Sequence, residues 1–252
     1  MKIILAGATG FLGSEVLRQC IAKSSYVQHV YAVVRKPLED RKLAQDPKCT
    51  EIVLEDFEQW PQHLLELFKQ EGVRGCIWCI GGPVGSFKDL ETAQRVNIAL
   101  PQAAAEAFAV HVAPTASELQ SMPKNSRGNA FRFVYASMVG AEQNQFASLW
   151  SQAQTRKAKG AAEKGLFEYA DSRDPGTFEA YALRFGQILP GGQSVYNIMQ
   201  ESMRVVISDA LAAKKMISIV LEGRKQEEGG RLLENADCFG EDWADINTVG
   251  GL

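Results

Sequence analysis

The opening of the chain constrains the fold more than any other stretch. Lys2–Ala6 reads KIILA, apolar enough for a buried strand, and the chain continues as Ala6-Gly7-Ala8-Thr9-Gly10-Phe11-Leu12-Gly13 into a helix-like segment, Phe11–Lys23. The glycines fall in a G-x-x-G-x-x-G spacing. Gly7 suits a tight turn, Gly10 lets the backbone approach a pyrophosphate, and Gly13 allows close contact between helix and strand. The helix start then offers free N–H groups and a partial positive charge to phosphates. Gly7, Thr9, Gly10, Phe11, Leu12 and Gly13 are therefore the expected phosphate-binding residues. The competing account is a glycine turn kept only for the fold in a protein that has lost its cofactor. A P-loop is excluded, because Ser14 and not lysine follows the last glycine.

Strand-like and helix-like runs alternate through the rest of the chain. His29–Val34, Glu51–Leu54, Cys76–Ile80, Phe131–Ala136 and Phe178–Phe185 read as strands; Pro61–Glu71, Asp89–Val110 and Thr155–Ala170 read as helices. Several strands are apolar throughout, which predicts a parallel sheet covered on both faces. The expected class is α/β, a doubly wound parallel sheet of Rossmann type with a small, mostly helical C-terminal segment on the substrate side. One domain is expected over 1–252. Residues 190–236 form its substrate-side or lid portion and 237–252 an acidic tail. Val195, Met199, Met203, Val206 and Ala210 are spaced like one helix face, which suits core packing, a pliable lid or a dimer surface. His111–Asn129 is polar and reads as a surface excursion.

Composition narrows the function classes. The 252 residues are 46% hydrophobic and 23% charged, with a formal net charge of −3, so nothing electrostatic points to nucleic acid or an anionic membrane. The apolar runs are strand-sized, so no membrane span is expected. No leader-like segment precedes the first strand, and the five scattered cysteines suit reduced thiols, so a cytoplasmic protein is expected. Cys76 and Cys79 form a C-x-x-C, but inside an apolar strand, where residues three apart face opposite sides. No second pair or nearby histidine completes a metal site, so no metal is expected. His29, His63 and His111 are far apart and read as surface residues.

Strand ends suggest which dinucleotide is bound. The second strand closes with Val34-Arg35-Lys36 where an NAD site usually carries an acid; Arg35, supported by Lys36, can instead meet a 2′-phosphate. NADP(H) is therefore the expected cofactor. After the third strand, Asp56 could contact the adenine edge and Phe57 could flank its ring. Ile80-Gly81 leaves room for the middle of the cofactor.

Together with Val96-Asn97, Phe133-Val134-Tyr135-Ala136-Ser137 and Leu183-Arg184-Phe185-Gly186, these motifs resemble atypical short-chain dehydrogenase/reductases, nearest to the Tat-interacting-protein-like and NmrA-like members. The resemblance spans about Met1 to Pro190. It implies a small-molecule substrate and homodimer pairing of the kind common in the family. It also implies that the hydride chemistry is carried by a serine after the fifth strand, here Ser137, and by a lysine that lowers the proton donor's pKa and binds the nicotinamide ribose, here Lys159 in Lys159-Gly160 with Glu163 following. The family's proton-donating tyrosine stands four residues before that lysine, and Thr155 stands there instead. An alcohol is a far weaker acid than a phenol. A second register would set Trp150 and Gln154 at those positions.

Three functions remain open from the sequence: a reductase of a small carbonyl or enone with another proton source such as Tyr196, a non-catalytic NADP(H) sensor or scaffold, and a non-redox isomerase or cyclase in a repurposed pocket. The expected pocket is built from Pro83–Phe87, Glu142–Gln154 and Pro190–Met203.

Overall fold

The structure, a computed structural model, describes residues 1–22, 26–123, 128–191, 206–224 and 230–239. Seven parallel strands form the central sheet: β1 Lys2–Ala6, β2 His29–Val34, β3 Cys49–Val53, β4 Val73–Trp78, β5 Phe131–Met138, β6 Phe178–Phe185 and β9 Leu232–Glu234. Their spatial order is β3-β2-β1-β4-β5-β6-β9. The order reverses between β1 and β4, which opens the crevice where such sheets bind ligands. Two short strands, β7 Gln187–Leu189 and β8 Val206–Ser208, pair parallel beside it.

Side-chain alternation divides the core in two. Ile3 and Leu5 of β1 point to one face, and Ile4 and Ala6 to the other. The first face is covered by α1 (Phe11–Ala22) and by the C-terminal helix Asp209–Glu222. The second is covered by α3 (Gln62–Gln70), α5 (Leu100–His111) and α7 (Ala153–Asp171), with an aromatic cluster around Phe68, Phe108 and Trp78. Cys76 and Cys79 lie on opposite sides of this division. Among the described residues no group of His, Cys, Asp or Glu is placed to hold a metal, and no helix is long and apolar enough to cross a membrane.

Several elements depart from the sequence reading. The long helix expected over Asp89–Val110 is three pieces: α4 (Leu90–Gln94), a π-helical turn (Arg95–Ala99) and α5. Pro101 carries no N–H and cannot bond back to Asn97, so the ladder must break one turn upstream. The π-turn brings Asn97 fully into the interior. The polar excursion contains α6 (Ala116–Ser121), held by a capping box between Thr115 and Glu118. A further short helix, α2 (Arg41–Ala44), follows β2, capped by Asp40.

The C-terminal segment is also corrected. Val206 belongs to β8 and does not continue a helix. Asp209–Glu222, here α8, packs into the core, with Ala212, Ala213 and Met216 fully buried. Gly75 of β4 makes this possible: a Cβ there would run into the Val220 side chain. Arg132 fastens the end of α8, donating to the Leu221 carbonyl at 2.9 Å and to Glu179 at 3.0 Å. Val195, Met199, Met203, Tyr196 and the acidic tail beyond Phe239 lie outside the described residues. Of the tail's start, Asp237 and Cys238 sit in a 3-10 turn with Cys238 buried.

Candidate active site

The glycine turn stands at the β1–α1 junction as the spacing requires. Gly7 has φ +89° and its N–H reaches the Val33 carbonyl at 3.2 Å. A Cβ on Gly13 would run into the Gly7 carbonyl, so only glycine lets the first turn of α1 sit this close to β1. Around Gly10 the space is open on the ligand side, and a Cβ there would meet only the Gly7 carbonyl oxygen, at 3.3 Å. Thr9, Gly10 and Phe11 are exposed, whereas Leu12 packs its side chain into the core and can offer only its amide. The turn thus fits a pyrophosphate: exposed backbone, free helix N–H groups and no side chain in the way.

Beside it opens a cavity of about 680 Å³ lined by Ala8, Thr9, Ser14, Arg35, Lys36 and Asp40, among others. Arg35 and Lys36 are exposed at its wall. One continuous wall therefore joins the phosphate turn to two cations at the end of β2. Asp56 and Phe57 behave differently from the expectation. Arg95 holds Asp56 at 2.9 Å and Glu58 at 2.8 Å, so the Asp56 carboxylate is already engaged. Phe57 is only 2% exposed and meets Trp60 and Trp78 edge-on in the core. It cannot flank a bound ring, because its apolar surface is used in packing.

Further along the cleft, Gly81 has φ +144°, and a Cβ there would stand 2.8 Å from Lys159 Nζ and 2.9 Å from Asn97 Oδ1. The absent side chain at Gly81 is what leaves the ammonium near the cleft. Ile80 is half-buried and its carbonyl accepts from Trp78 Nε1 at 3.1 Å. Asn97 Oδ1 accepts from the Gly82 amide at 3.1 Å, and the Asn97 carbonyl accepts from the Tyr135 hydroxyl at 3.2 Å.

Thr155, Lys159 and Glu163 recur every four residues, so they share one face of α7. All three are buried. Lys159 Nζ donates to the Ala136 carbonyl at 3.0 Å and lies 4.7 Å from the centre of the Tyr135 ring. Burial lowers its pKa to about 8, against the smaller opposing pull of Cys79 and Glu163. Trp150 is fully exposed and precedes α7, which removes the register built on it and Gln154.

The Ser137 hydroxyl is engaged differently from the catalytic role that the resemblance implies. Its proton goes to Glu163 Oε1 at 2.6 Å, and Glu163 is wholly buried. Arg184 clamps the same carboxylate at 2.9 and 2.6 Å and Gln143 adds a bond at 3.1 Å. Ser137 can still accept a hydrogen bond, but a substrate carbonyl needs a donor. Thr155 Oγ1 accepts from the Val84 amide at 3.0 Å, which leaves the hydroxyl able to donate. The Glu163–Arg184 pair was visible only as two family motifs far apart in sequence. The Val84 partner carried no side-chain signal, since the group involved is backbone. His29 sits half-buried against Thr50, while His63 and His111 are exposed.

No protein-family model matches the chain, and no curated protein sequence does. Solved structures do. Carbonyl reductase Sniffer of D. melanogaster is similar over 94% of this chain and 96% of its own, at 14% identity and a TM-score of 0.69. Yeast methylglyoxal/isovaleraldehyde reductase Gre2 complexed with NADPH is similar over 93% and 77%, at 14% identity and 0.65. MoeE5 in complex with UDP-glucuronic acid and NAD is similar over 93% and 76%, at 17% identity and 0.63. These likenesses establish the Rossmann-like α/β fold.

Proposed function

We propose that this chain is an NADP(H)-binding protein of the short-chain dehydrogenase/reductase kind that reduces a small carbonyl or enone without the usual phenol. The carrying observation is the cavity of about 680 Å³ whose wall joins Thr9 and Ser14 of the phosphate turn to Arg35 and Lys36. Two cations beside a ribose position suit a 2′-phosphate, which NADH lacks. Two of the similar structures are named as reductases, one of them with NADPH.

Bound NADPH would supply the hydride. The protein's own residues do the rest. Gly7–Gly13 and the start of α1 hold the pyrophosphate, and Arg35 and Lys36 hold the 2′-phosphate. Lys159 holds ribose hydroxyls behind Gly81. The Thr155 hydroxyl, already accepting from Val84, donates to a substrate oxygen. Ser137 and Glu163 keep β5 and α7 in register.

A second reading, an NADP(H) sensor or scaffold without turnover, is favoured by one observation: the Ser137 hydroxyl expected at the reacting carbonyl already donates to Glu163. Calorimetry with NADPH and NADH, followed by NADPH oxidation against aldehydes, diketones and enones, separates the readings. Tight NADPH binding with turnover supports the reductase. Tight binding with none supports the sensor. Equal affinity for NADPH and NADH would remove the common premise.

A further inference from the structure

The cleft contains a proton source that the family resemblance casts as the pKa-lowering, ribose-binding partner of a phenol and not as the donor itself. Tyr196 lies outside the described residues; of the described groups able to lose a proton there, Ser137 already donates its hydroxyl hydrogen bond to Glu163 at 2.6 Å. Tyr135 is wholly buried in β5, bonded to the Asn97 carbonyl, and burial pushes its pKa far above the ordinary phenol value. Cys79 is pushed up to about 12 by burial. Thr155 is an alcohol. Lys159 remains.

Its surroundings are unusual for a buried ammonium. No carboxylate forms an ion pair with Lys159 among the described residues, because Glu163, one turn along α7, is filled by Ser137, Arg184 and Gln143. From β5 it meets the Ala136 carbonyl and the Tyr135 ring. From the end of β4 it meets Cys79, whose charge interaction with it is weak beside burial. One carbonyl and one ring face leave N–H capacity for a ligand, directly behind Gly81.

We infer that Lys159 is the general acid of this protein, delivering its ammonium proton to the reacting oxygen in place of the missing phenol. The inference rests on the reductase reading above. The substrate carbonyl carbon accepts a hydride from NADPH, and the C=O π pair moves onto oxygen. That oxygen takes one proton from Nζ, directly or across one water, while Thr155 steadies it with a hydrogen bond. The neutral amine then recovers a proton from solvent. The sum is NADPH, carbonyl and one proton giving NADP⁺ and alcohol. A strongly paired ammonium would hold its proton too tightly for this; one lowered to about 8 by burial is matched to neutral pH.

The test compares the parent with Lys159→Arg and Lys159→Met, using methylglyoxal, 4-nitrobenzaldehyde and 2-cyclohexenone as probes. Lys159→Arg keeps the charge but does not release a proton near neutral pH. It should lose about 10²-fold or more in kcat, read at saturating NADPH so that any change in ribose binding does not enter. Parent kcat should fall as pH rises through about 8, since the acid must be protonated. Competitive acetylation of Lys159 in the free protein, read by mass spectrometry, gives an activity-independent check. Its rate should reach half-maximum near pH 8, and NADP⁺ should suppress it. Turnover that survives in a folded Lys159→Arg, or a parent kcat flat from about pH 6.5 to 9.5, would overturn the inference and leave the reductase reading standing. A parent that binds NADPH but oxidises it with no probe would sink that reading, and this inference with it.

Discussion

The backbone amide of Val84 donates to the hydroxyl of Thr155 across 3.0 Å, fastening the turn after β4 to the first turn of α7. That turn, Val84–Ser86, therefore stands against the position where the resemblance calls for a phenol. Thr155→Val should leave the amide without its acceptor and cost about 1–3 kcal/mol, while Thr155→Ser keeps the bond and stays close to the parent. Thr155→Tyr must push the turn aside, so it should lose stability and gain no carbonyl reductase activity. Urea unfolding of the three variants, with NADPH oxidation assays on the tyrosine variant, checks both halves.

Arg35 and Lys36 predict the cofactor preference. Arg35→Ala should weaken NADPH binding by the worth of a charge-assisted bond, about 1.5–3 kcal/mol, and barely change NADH binding. Titration calorimetry with both nucleotides measures it. An equal loss for both would place the arginine away from the 2′-phosphate.

The Ser137–Glu163–Arg184 cluster predicts an asymmetry in stability. Glu163→Ala leaves the Arg184 guanidinium with Glu234 alone, at 3.0 Å, and should cost about 3 kcal/mol. Ser137→Ala removes one bond to a charged group and should cost about 1.5–3 kcal/mol, with NADPH affinity unchanged. Denaturant midpoints rank the two. A collapse of cofactor binding in folded Ser137→Ala would return the serine to the cleft.

The glycines of the first turn should fail in different ways. Gly13→Ala drives a methyl into the Gly7 carbonyl and should destabilise the fold itself. Gly10→Val should stay folded, because the space around it is open, and should abolish NADPH binding by filling the pyrophosphate position. Thermal melts and calorimetry on each variant distinguish the two outcomes.

Lys159 predicts a pH dependence of stability in the cofactor-free protein. Its pKa falls from 10.5 to about 8 on folding, so the unfolded chain binds more protons between those values. Stability therefore rises with pH across that window, and the penalty for burying the charge is complete below about 8. The shift corresponds to about 3 kcal/mol. The difference between the parent and Lys159→Met in unfolding free energy, followed from about pH 7 to 10.5, isolates the effect from other alkaline titrations.

Local order along the chain was enough to specify the sheet, the phosphate turn and the helix face that carries the lysine. Apolar runs such as KIILA admit only a strand buried on both faces, and the glycine spacing admits one turn. Thr155, Lys159 and Glu163 at four-residue intervals must share a side of a helix. The boundaries of β2 and β6 were legible for the same reason. Everything else hung on which groups meet across the chain. Phe57 looked free to stack on a ligand until Trp60 and Trp78 closed around it. Residues 209–222 read as part of a lid until Gly75 gave them a place against the sheet. Ser137 carried a catalytic motif, yet a buried carboxylate 26 residues away accepts its hydrogen bond. A side chain's chemistry is written in the sequence, but whether its proton or its surface is free depends on the neighbours that folding brings to it.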